Sequence, residues 1–235
     1  MDDGSTDNTK ELVDGWVEEQ RIAIRYFYQE NAGKMMAHNK AVCEAKAELF
    51  MCVDSDDKLC SETVVKDCLD FWDCNKTSGK NACGFMAFKR MSNERDTGEK
   101  AYIFLRHVLE KYPFPYFMGE KFVTDVYIYD QIVRDYEILE FPYDVQECKY
   151  NNDGYSYNYM KVLFDNPQGF RAYHNQCVRF RKKGYWKSAV CYVALSIRVK
   201  DWRMLSTAAN VPLTILSLPL GVVKYFYDNY RLSRL

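Results

Sequence analysis

The chain has 235 residues, 48% of them hydrophobic and 28% charged, so it can bury one sizeable core and one α/β domain is the default expectation. The net charge of −1 excludes a global attraction to nucleic acid, and no nucleic-acid partner is predicted. Nine scattered cysteines, none spaced as C-x-x-C, exclude a zinc finger and favour free thiols in a reducing cytoplasm.

The chain opens on an acidic, turn-rich loop at residues 2–9, which has no signal-peptide pattern. A helix is predicted next, because Leu12, Val13 and Trp16 share one face. A loop of this kind normally follows a strand, and none precedes it here. We therefore expect the chain to begin partway through a domain.

Alternating strands and helices follow. Residues 22–28 alternate in polarity and predict a strand, residues 31–33 predict a turn, and residues 34–47 predict a helix. The apolar run at residues 49–53 predicts a strand buried on both faces. This rhythm is typical of a parallel sheet.

Three carboxylates come directly after that apolar run: Asp54, Asp56 and Asp57. Ligands of open α/β sheets bind at the carboxyl ends of the strands, so these acids lie where a ligand site is expected. They stay ionised together most easily with a divalent cation between them and an anionic ligand, and their hard oxygens suit Mg²⁺ or Mn²⁺. A solvated acidic turn before the helix that starts near Ser61 is the alternative.

Three motifs occur in a fixed order: D-D-G-S-T-D-N-T at residues 2–9, N-A-G at 31–33 with A-H-N at 37–39, and V-D-S-D-D at 53–57. The ordered set resembles family 2 glycosyltransferases of the GT-A fold. The resemblance implies an α/β fold with a mostly parallel, Rossmann-like nucleotide-binding sheet flanked by helices. It also implies that the first strand and helix of such a domain are missing.

The resemblance implies roles for three acids. Asp3, the second acid of the first loop, would contact the nucleotide base. Asp54 would approach the ribose, and Asp56 would hold Mg²⁺ or Mn²⁺ on the diphosphate of a nucleotide-sugar donor. The metal would offset charge on the departing nucleoside diphosphate.

An inverting transfer also needs a base for the acceptor hydroxyl. The family that the chain resembles places this acid near the start of a helix after the D-x-D motif, and residues 119–127 match that stretch. Asp125 is the predicted base, with Glu120 in reserve. Because Thr124 can cap the helix that follows, an acid in its first turn is also what helix electrostatics favours. Aromatic residues before this stretch are candidates for stacking on the acceptor sugar, with core packing as the alternative: Tyr112, Phe114, Tyr116 and Phe117.

The remaining elements are predicted from periodicity and turn residues. They are a strand at 84–88, a solvent loop at 93–100, a helix at 102–111, a helix after Thr124, strands at 137–141 and 145–150, and a turn at 151–156. From residue 160 onward the chain reads as mostly helical and more basic.

Residues 204–223 contain no charge and reach the length of a membrane span, but Asn210, Pro212 and Pro219 interrupt them. Basic residues on both sides favour an interfacial element on an anionic membrane surface. A helix pair packed on the domain or on another subunit is the alternative.

These observations predict a glycosyltransferase domain at residues 1–175 and a helical C-terminal region at 176–235. The function that the resemblance implies is metal-assisted, inverting transfer of a sugar from a nucleotide-diphosphate sugar, with UDP as the expected nucleotide, to a glycan or lipid-linked acceptor in polysaccharide biosynthesis. The predicted location is the cytoplasm, including the inner face of the membrane. The alternative is a non-catalytic relative that serves as an interaction or membrane-peripheral module.

Overall fold

The computed structural model describes residues 1–91, 99–148 and 158–234, and the chain divides into two compact units. Unit 1 comprises Met1–Ala37, Phe114–Tyr127 and Tyr155–Leu235, and unit 2 comprises His38–Pro113 and Ile128–Gly154. In chain order, the elements are α1 (Thr9–Glu19), α2 (Lys34–Glu44), β1 (Leu49–Met51), β2 (Lys58–Leu59), α3 (Val64–Asn75), β3 (Ala82–Met91), β4 (Lys100–Leu105), α4 (Arg106–Leu109), α5 (Val126–Asp135), β5 (Glu137–Cys148), α6 (Tyr159–Asp165), α7 (Pro167–Arg179), α8 (Tyr185–Arg198), α9 (Met204–Thr207) and α10 (Val211–Leu232).

Unit 2 contains a sheet with the strand order β1-β4-β3-β5-β2. The central pair, β3 and β5, is parallel, as predicted. The other pairs, β1 with β4, β3 with β4 and β2 with β5, are antiparallel, so the expectation of mostly parallel pairing is wrong for the described strands. The reason is that only eight residues of the sequence separate β3 from β4, which is too few for the crossover that a parallel pair needs, and the two strands pair antiparallel.

The core of unit 2 lies between this sheet and α3. Trp72 and Phe71 of α3 contact the ring of Phe85 on β3, and Phe71 also packs edge-on against Phe141 of β5. Such tilted and edge-to-face ring contacts are the arrangements that aromatic side chains favour. The amphipathic helix predicted after Ser61 is therefore confirmed, with Val64, Cys68 and Trp72 buried.

The apolar run at residues 49–53 forms a shorter and more exposed strand than predicted. Strand β1 ends at Met51, its three residues are only partly buried, and Cys52 and Val53 are exposed. In the described sheet β1 pairs with β4 alone and lies at an edge. The expectation of a strand buried on both faces is therefore wrong, since none of the three residues of β1 is fully buried.

Two other predicted elements also differ. Residues 22–28, predicted as a strand, form only an isolated parallel bridge between Tyr28 and Asp2. In this bridge the Asp2 N–H donates to the Phe27 carbonyl, and the Gln29 N–H donates to the Asp2 carbonyl. Residues 102–111, predicted as a helix, begin as strand β4 and become helical only at Arg106. Residues 102–105 form a strand because β4 pairs with both β1 and β3, and these hydrogen bonds outweigh the helical periodicity of the local sequence.

In unit 1, helices α7, α8 and α10 pack together around buried residues such as Phe170, Leu195 and Val193. This confirms the predicted helical character of the last third of the chain. The predicted domain boundary at residue 175 falls inside α7. None of the helices in the described ranges combines the length and apolar character needed to cross a membrane.

Three predicted segments fall on residues that the structure does not describe. They are most of the solvent loop at 93–100, the end of the strand predicted at 145–150, and the turn at 151–156. The part of the second strand that is described belongs to β5, which runs without a break from Glu137.

Candidate functional site

Asp3 holds the turn at residues 31–33. Its Oδ1 accepts hydrogen bonds from the Gln29 Nε2 at 2.7 Å and the Ala32 N–H at 2.9 Å, and its Oδ2 accepts one from the Gly33 N–H at 2.8 Å. A carboxylate that accepts from successive backbone N–H groups fixes a loop firmly, because these bonds are charge-assisted. The first two motifs of the sequence are therefore joined in unit 1 through this side chain.

The neighbouring Asp2 is buried and organises the loop from the other side. Its carboxylate accepts hydrogen bonds from the Tyr26 hydroxyl and from the Ser5 N–H, the latter at 2.7 Å. These bonds, the one from Tyr26 foremost, lower the pKa of Asp2, and the same contact raises the pKa of Tyr26 to about 12. Asp2 therefore acts as a charged side chain that holds the loop together. Asp3 is the acid of this loop that contacts the turn at residues 31–33, which we call the glycine turn.

The stretch that carries Asp125 packs against the same turn. A Cβ on Gly33, whose φ is +92°, would lie 2.0 Å from the Lys121 carbonyl oxygen, so only glycine fits there. The Lys121 ammonium donates to Asn31 Oδ1 at 2.6 Å. Buried Asn166 fixes the stretch further, since its Oδ1 accepts from the N–H groups of Lys121 and Phe122 at 2.8 and 2.9 Å.

Glu120 and Asp125 have different surroundings. The Glu120 carboxylate accepts hydrogen bonds from the N–H groups of Gln168 and Gly169, at 2.7 and 2.9 Å, at the beginning of α7. This is a favourable position for an anion because the first N–H groups of a helix have no partner within the helix. Asp125 is exposed and accepts from the Val126 N–H at 2.8 Å, directly before α5. Asp125 is thus the acid of this stretch that solvent and a ligand can reach.

The aromatic candidates for sugar stacking separate into two groups. Phe114 is a core residue at 3% exposure, and the Tyr112 hydroxyl donates to Asp135 Oδ2 at 2.8 Å. Tyr116 and Phe117 line a hollow of unit 1 together with Met35 and Lys121. Stacking on a sugar is therefore open to Tyr116 and Phe117, and Phe114 is excluded from it by burial.

The third motif forms an acidic turn in unit 2. The Asp57 N–H donates to the Asp54 carbonyl at 3.0 Å, which closes a four-residue turn between β1 and β2. Asp56 occupies its exposed corner, whereas the Asp57 side chain is only 6% exposed. The turn therefore holds one carboxylate inward and presents another to solvent.

Lys89 on β3 lies beside these acids, and the sequence analysis did not identify it. Its ammonium is 2.8 Å from Asp57 Oδ2 and 3.9 Å from Asp54 Oδ2, and its side chain is 16% exposed. Burial lowers the pKa of Lys89, but the hydrogen bond to Asp57 and the charges of Asp57 and Asp54 outweigh this effect and raise it. The positive charge of Lys89 therefore offsets part of the repulsion between the carboxylates of the acidic turn.

Gln146 on β5 lies beneath the same turn. It is fully buried, is the register partner of Lys89, and donates from Nε2 to the Cys52 carbonyl at 2.9 Å. Its Oε1 has no hydrogen-bond partner among the described residues. A buried acceptor in this state offers a position for a water or a hydroxyl group.

The carboxylates of the acidic turn could hold Mg²⁺ or Mn²⁺ only together with oxygen atoms from a substrate and from water. Carboxylate oxygens are the ligands these hard ions prefer, but Asp57 is already paired with Lys89. Within residues 1–91, 99–148 and 158–234 there is no group of three or more His, Cys, Asp or Glu that could hold a metal. The chain would thus supply one or two ligands, and substrate phosphates and water the rest, which is how Mg²⁺ is usually bound.

Lys89, Gln146 and Asn166 were not predicted as site residues, because their positions depend on contacts between distant parts of the sequence. Lys89 and Gln146 come together because β3 and β5 pair in a particular register, with Lys89 opposite Gln146. Asn166 is 45 residues from the Lys121 backbone that it holds. Lys89 could have been suspected as a charged residue directly after the strand predicted at 84–88, since such a charge needs a partner when buried.

Comparison with known proteins gives a family and a fold. Residues 1–133 match the family described as "Glycosyl transferase family 2", and this range contains Asp3, Asp54, Asp56 and Asp125. Among curated protein sequences, none matches this chain.

Solved structures with a similar fold include S. aureus TarS 1-349 in complex with UDP-GlcNAc, which is 13% identical with a TM-score of 0.58 and covers 99% of this chain and 81% of that chain. TarS 1-349 in complex with UDP is 14% identical with a TM-score of 0.55, over the same shares of the two chains. A mannosyltransferase from Pyrobaculum calidifontis, in complex with GDP-Man and Mn2+, is 20% identical with a TM-score of 0.53, over 98% of this chain and 71% of that one. The predicted GT-A type of α/β fold is thereby confirmed.

Proposed function

Because the chain belongs to glycosyl transferase family 2, we propose that it transfers a sugar from a nucleotide-diphosphate-sugar donor to a glycan or lipid-linked acceptor. The observation that carries the proposal is the family match over residues 1–133, which includes both the loop held by Asp3 and the acidic turn. The similar structures bind UDP, UDP-GlcNAc or GDP-Man, which supports a nucleotide sugar as the donor class. UDP is the proposed nucleotide.

Asp3 and Asp54 are the proposed contacts to the nucleoside. Asp3 is pre-positioned by the N–H groups of Ala32 and Gly33, so it can receive a hydrogen bond from a base without reorganising. Asp54 is partly exposed at the start of the acidic turn, where a ribose hydroxyl can donate to it. The unpartnered Oε1 of Gln146 supports a further hydroxyl or water in this part of unit 2.

Asp56 is the proposed metal ligand. A bound Mg²⁺ or Mn²⁺ would supply electrostatic stabilisation of the negative charge on the leaving nucleoside diphosphate. The exposed position of Asp56 and the inward pairing of Asp57 with Lys89 favour a single protein carboxylate facing the donor. Mn2+ in the similar mannosyltransferase structure supports this ion.

Asp125 is the proposed base. The acceptor oxygen attacks the anomeric carbon, the bond to the diphosphate oxygen breaks, and the acceptor proton goes to the Asp125 carboxylate, which gives inversion at that carbon. Asp125 suits this role because it is exposed, whereas the Glu120 carboxylate is held by two N–H groups of α7. Tyr116 and Phe117 are the proposed stacking residues on the acceptor side.

Donor hydrolysis tests the proposal. Purified chain is incubated with UDP-glucose, UDP-galactose, UDP-GlcNAc or GDP-mannose in Mn²⁺, in Mg²⁺ or in EDTA, and release of the nucleoside diphosphate is measured. We expect release with one donor that needs the metal and falls by about 10²-fold or more in Asp56→Ala. The matched control is Asp70→Ala, which removes another exposed acid, on α3, whose partner is Lys66.

A non-catalytic module would give a different pattern. If folded protein releases no nucleoside diphosphate from any of the four donors in either metal, the catalytic proposal fails and the non-catalytic alternative stands. If release is as strong in EDTA and in Asp56→Ala as in the wild type with Mn²⁺, the metal role of Asp56 is wrong.

A further inference from the structure

Helix α10 in unit 1 has an inverted distribution of polarity. Its buried residues are small or polar: Thr214, Ser217, Gly221 and Asp228. Its opposite face is apolar and exposed, which is the reverse of a helix that packs its apolar stripe on a core. The exposed face therefore needs an explanation beyond the packing of unit 1.

The orientation of α10 is fixed by contacts with α8. A Cβ on Gly221 would lie 2.3 Å from Val193 Cγ1, so the two helices approach closely only at a glycine. The Arg198 guanidinium of α8 donates to Asn229 Oδ1 of α10 at 2.5 Å. Rotating the helix to bury its apolar face would lose the Gly221 contact and the Arg198 hydrogen bond.

The exposed stripe is regular along the helix. Its residues recur at intervals of three and four, so they lie on one face. Their exposed fractions run from 51% to 77%: Leu216 77%, Leu220 56%, Val223 65%, Tyr227 57% and Tyr230 51%. Phe226, 65% exposed, flanks the stripe. An apolar surface of this extent on one helix is characteristic of an interaction site.

The part of the sequence that carries the stripe is predominantly basic. Residues 176–235 contain eleven Lys or Arg and two Asp, whereas residues 1–175 contain twenty-one Lys or Arg and thirty-one Asp or Glu. Both aspartates of the C-terminal part are committed to ion pairs, Asp201 with Arg171 and Asp228 with Lys224. Arg234 continues the stripe, and its guanidinium lies 4.4 Å from the Tyr230 ring centre.

We infer that the exposed face of α10 binds the surface of an anionic lipid bilayer, with the helix lying in the plane of the interface. An apolar stripe in a basic region is what such a surface recognises, since acyl chains contact the apolar side chains and headgroup phosphates attract the cations. Trp202, 75% exposed between Lys200 and Arg203, is a side chain that prefers the same interface. The net positive charge of residues 176–235 favours an anionic lipid surface over a second copy, because two such regions would repel each other.

Vesicle co-sedimentation of the full chain tests the inference. The probes are vesicles of phosphatidylcholine alone and vesicles of phosphatidylcholine and phosphatidylglycerol in equal parts. We expect sedimentation with the mixed vesicles, at least about tenfold weaker binding to phosphatidylcholine alone, and weakening by added salt. The Leu216→Glu/Leu220→Glu double variant, which alters only exposed positions of α10, loses binding by at least about tenfold.

The matched control is Val65→Glu/Leu69→Glu on α3, which places the same two charges at the same spacing on residues that are each 49% exposed. It is expected to bind like the wild type, with both double variants keeping the wild-type circular dichroism spectrum. Three results overturn the inference: wild-type protein that stays in the supernatant with mixed vesicles, equal loss in both double variants, or a soluble dimer that only the α10 variant dissociates.

Discussion

Asp125 and Glu120 are two acids of one stretch with different proposed roles, Asp125 as the base and Glu120 as a side chain that stabilises the fold. Glu120 accepts two backbone hydrogen bonds at the start of α7, and Asp125 is open to solvent. We predict that Asp125→Asn lowers turnover by about 10²- to 10⁴-fold, because it removes the proposed base. Its free energy of unfolding should change by less than about 0.5 kcal/mol, as for most exposed substitutions.

Glu120→Gln is the counterpart, and we expect it to lower the free energy of unfolding by roughly 1 kcal/mol, because an anion at a helix N-terminus is lost. Steady-state kinetics and urea unfolding of both variants check this division. A large loss of turnover in Glu120→Gln with little change in Asp125→Asn would reverse the assignment.

His174 on α7 gives the stability of the protein a pH dependence. Its Nδ1 is buried and has no hydrogen-bond partner among the described residues. Burial, with the charge of Lys224 as a second cause, lowers the pKa of His174 to about 4. In the unfolded chain the pKa is about 6.5, so between these values the unfolded state binds more protons and stability falls as the pH falls.

Between pH 7 and pH 5 we expect His174 to lower the free energy of unfolding by roughly 2 kcal/mol. Urea unfolding of the wild type and of His174→Gln at the two pH values measures this, and the variant should lose less stability on acidification. Parallel losses in the two proteins would show that His174 does not titrate in this range on unfolding.

The acids of the motifs could be identified from sequence because they are contiguous, and their order along the chain led to the family. Lys89 and Gln146 could not, because their place beside the acidic turn depends on the register of β3 against β5. The partners of Asp2 and Asp3 could not be predicted either: the Asp2 carboxylate accepts a hydrogen bond from Tyr26, and the Asp3 carboxylate accepts one from the Gly33 N–H.

At the scale of elements, the contact between α10 and α8 depends on one glycine. We predict that Gly221→Ala lowers the free energy of unfolding by about 1–3 kcal/mol, because the new Cβ overlaps Val193 and the helices must separate. Gly15→Ala on α1 is the control, since a Cβ there meets nothing within 4 Å. It should stabilise the protein by about 0.5–1 kcal/mol, as expected for alanine in an exposed helix.

Chemical unfolding of both glycine variants supplies the comparison. If Gly221→Ala is as stable as the wild type, α10 is not held against α8 as the structure describes, and the outward direction of its apolar stripe loses its support.

Elements with strong helical periodicity were predictable, as α1, α3 and α5 show. Residues 102–105 were not, because their strand conformation depends on pairing with β1 and β3 on either side. Residues 22–28 alternate like a strand yet contribute a single bridge to the described structure. Periodicity therefore identified the helices, whereas strand pairing had to come from the tertiary structure.

At the scale of the whole molecule, family and fold could be predicted from three short motifs, and the family match over residues 1–133 confirms the family. The direction of strand pairing could not be predicted, because these motifs lie in loops and do not indicate which strands are neighbours in the sheet. The charge asymmetry between residues 1–175 and 176–235 was visible as a basic C-terminal part. The basic residues already favoured an interfacial element at residues 204–223, whereas the apolar side that α10 exposes depends on how this helix packs on α8.

Isothermal titration of UDP into the protein, in Mn²⁺ and in EDTA, tests most directly whether these acids form a nucleotide-diphosphate site. We predict saturable binding that requires Mn²⁺, weakens at least about tenfold in Asp56→Ala, and is unchanged in Asp70→Ala. Folded protein that gives no saturable heat with UDP in Mn²⁺, or that binds UDP equally well in EDTA and in Asp56→Ala, would contradict it.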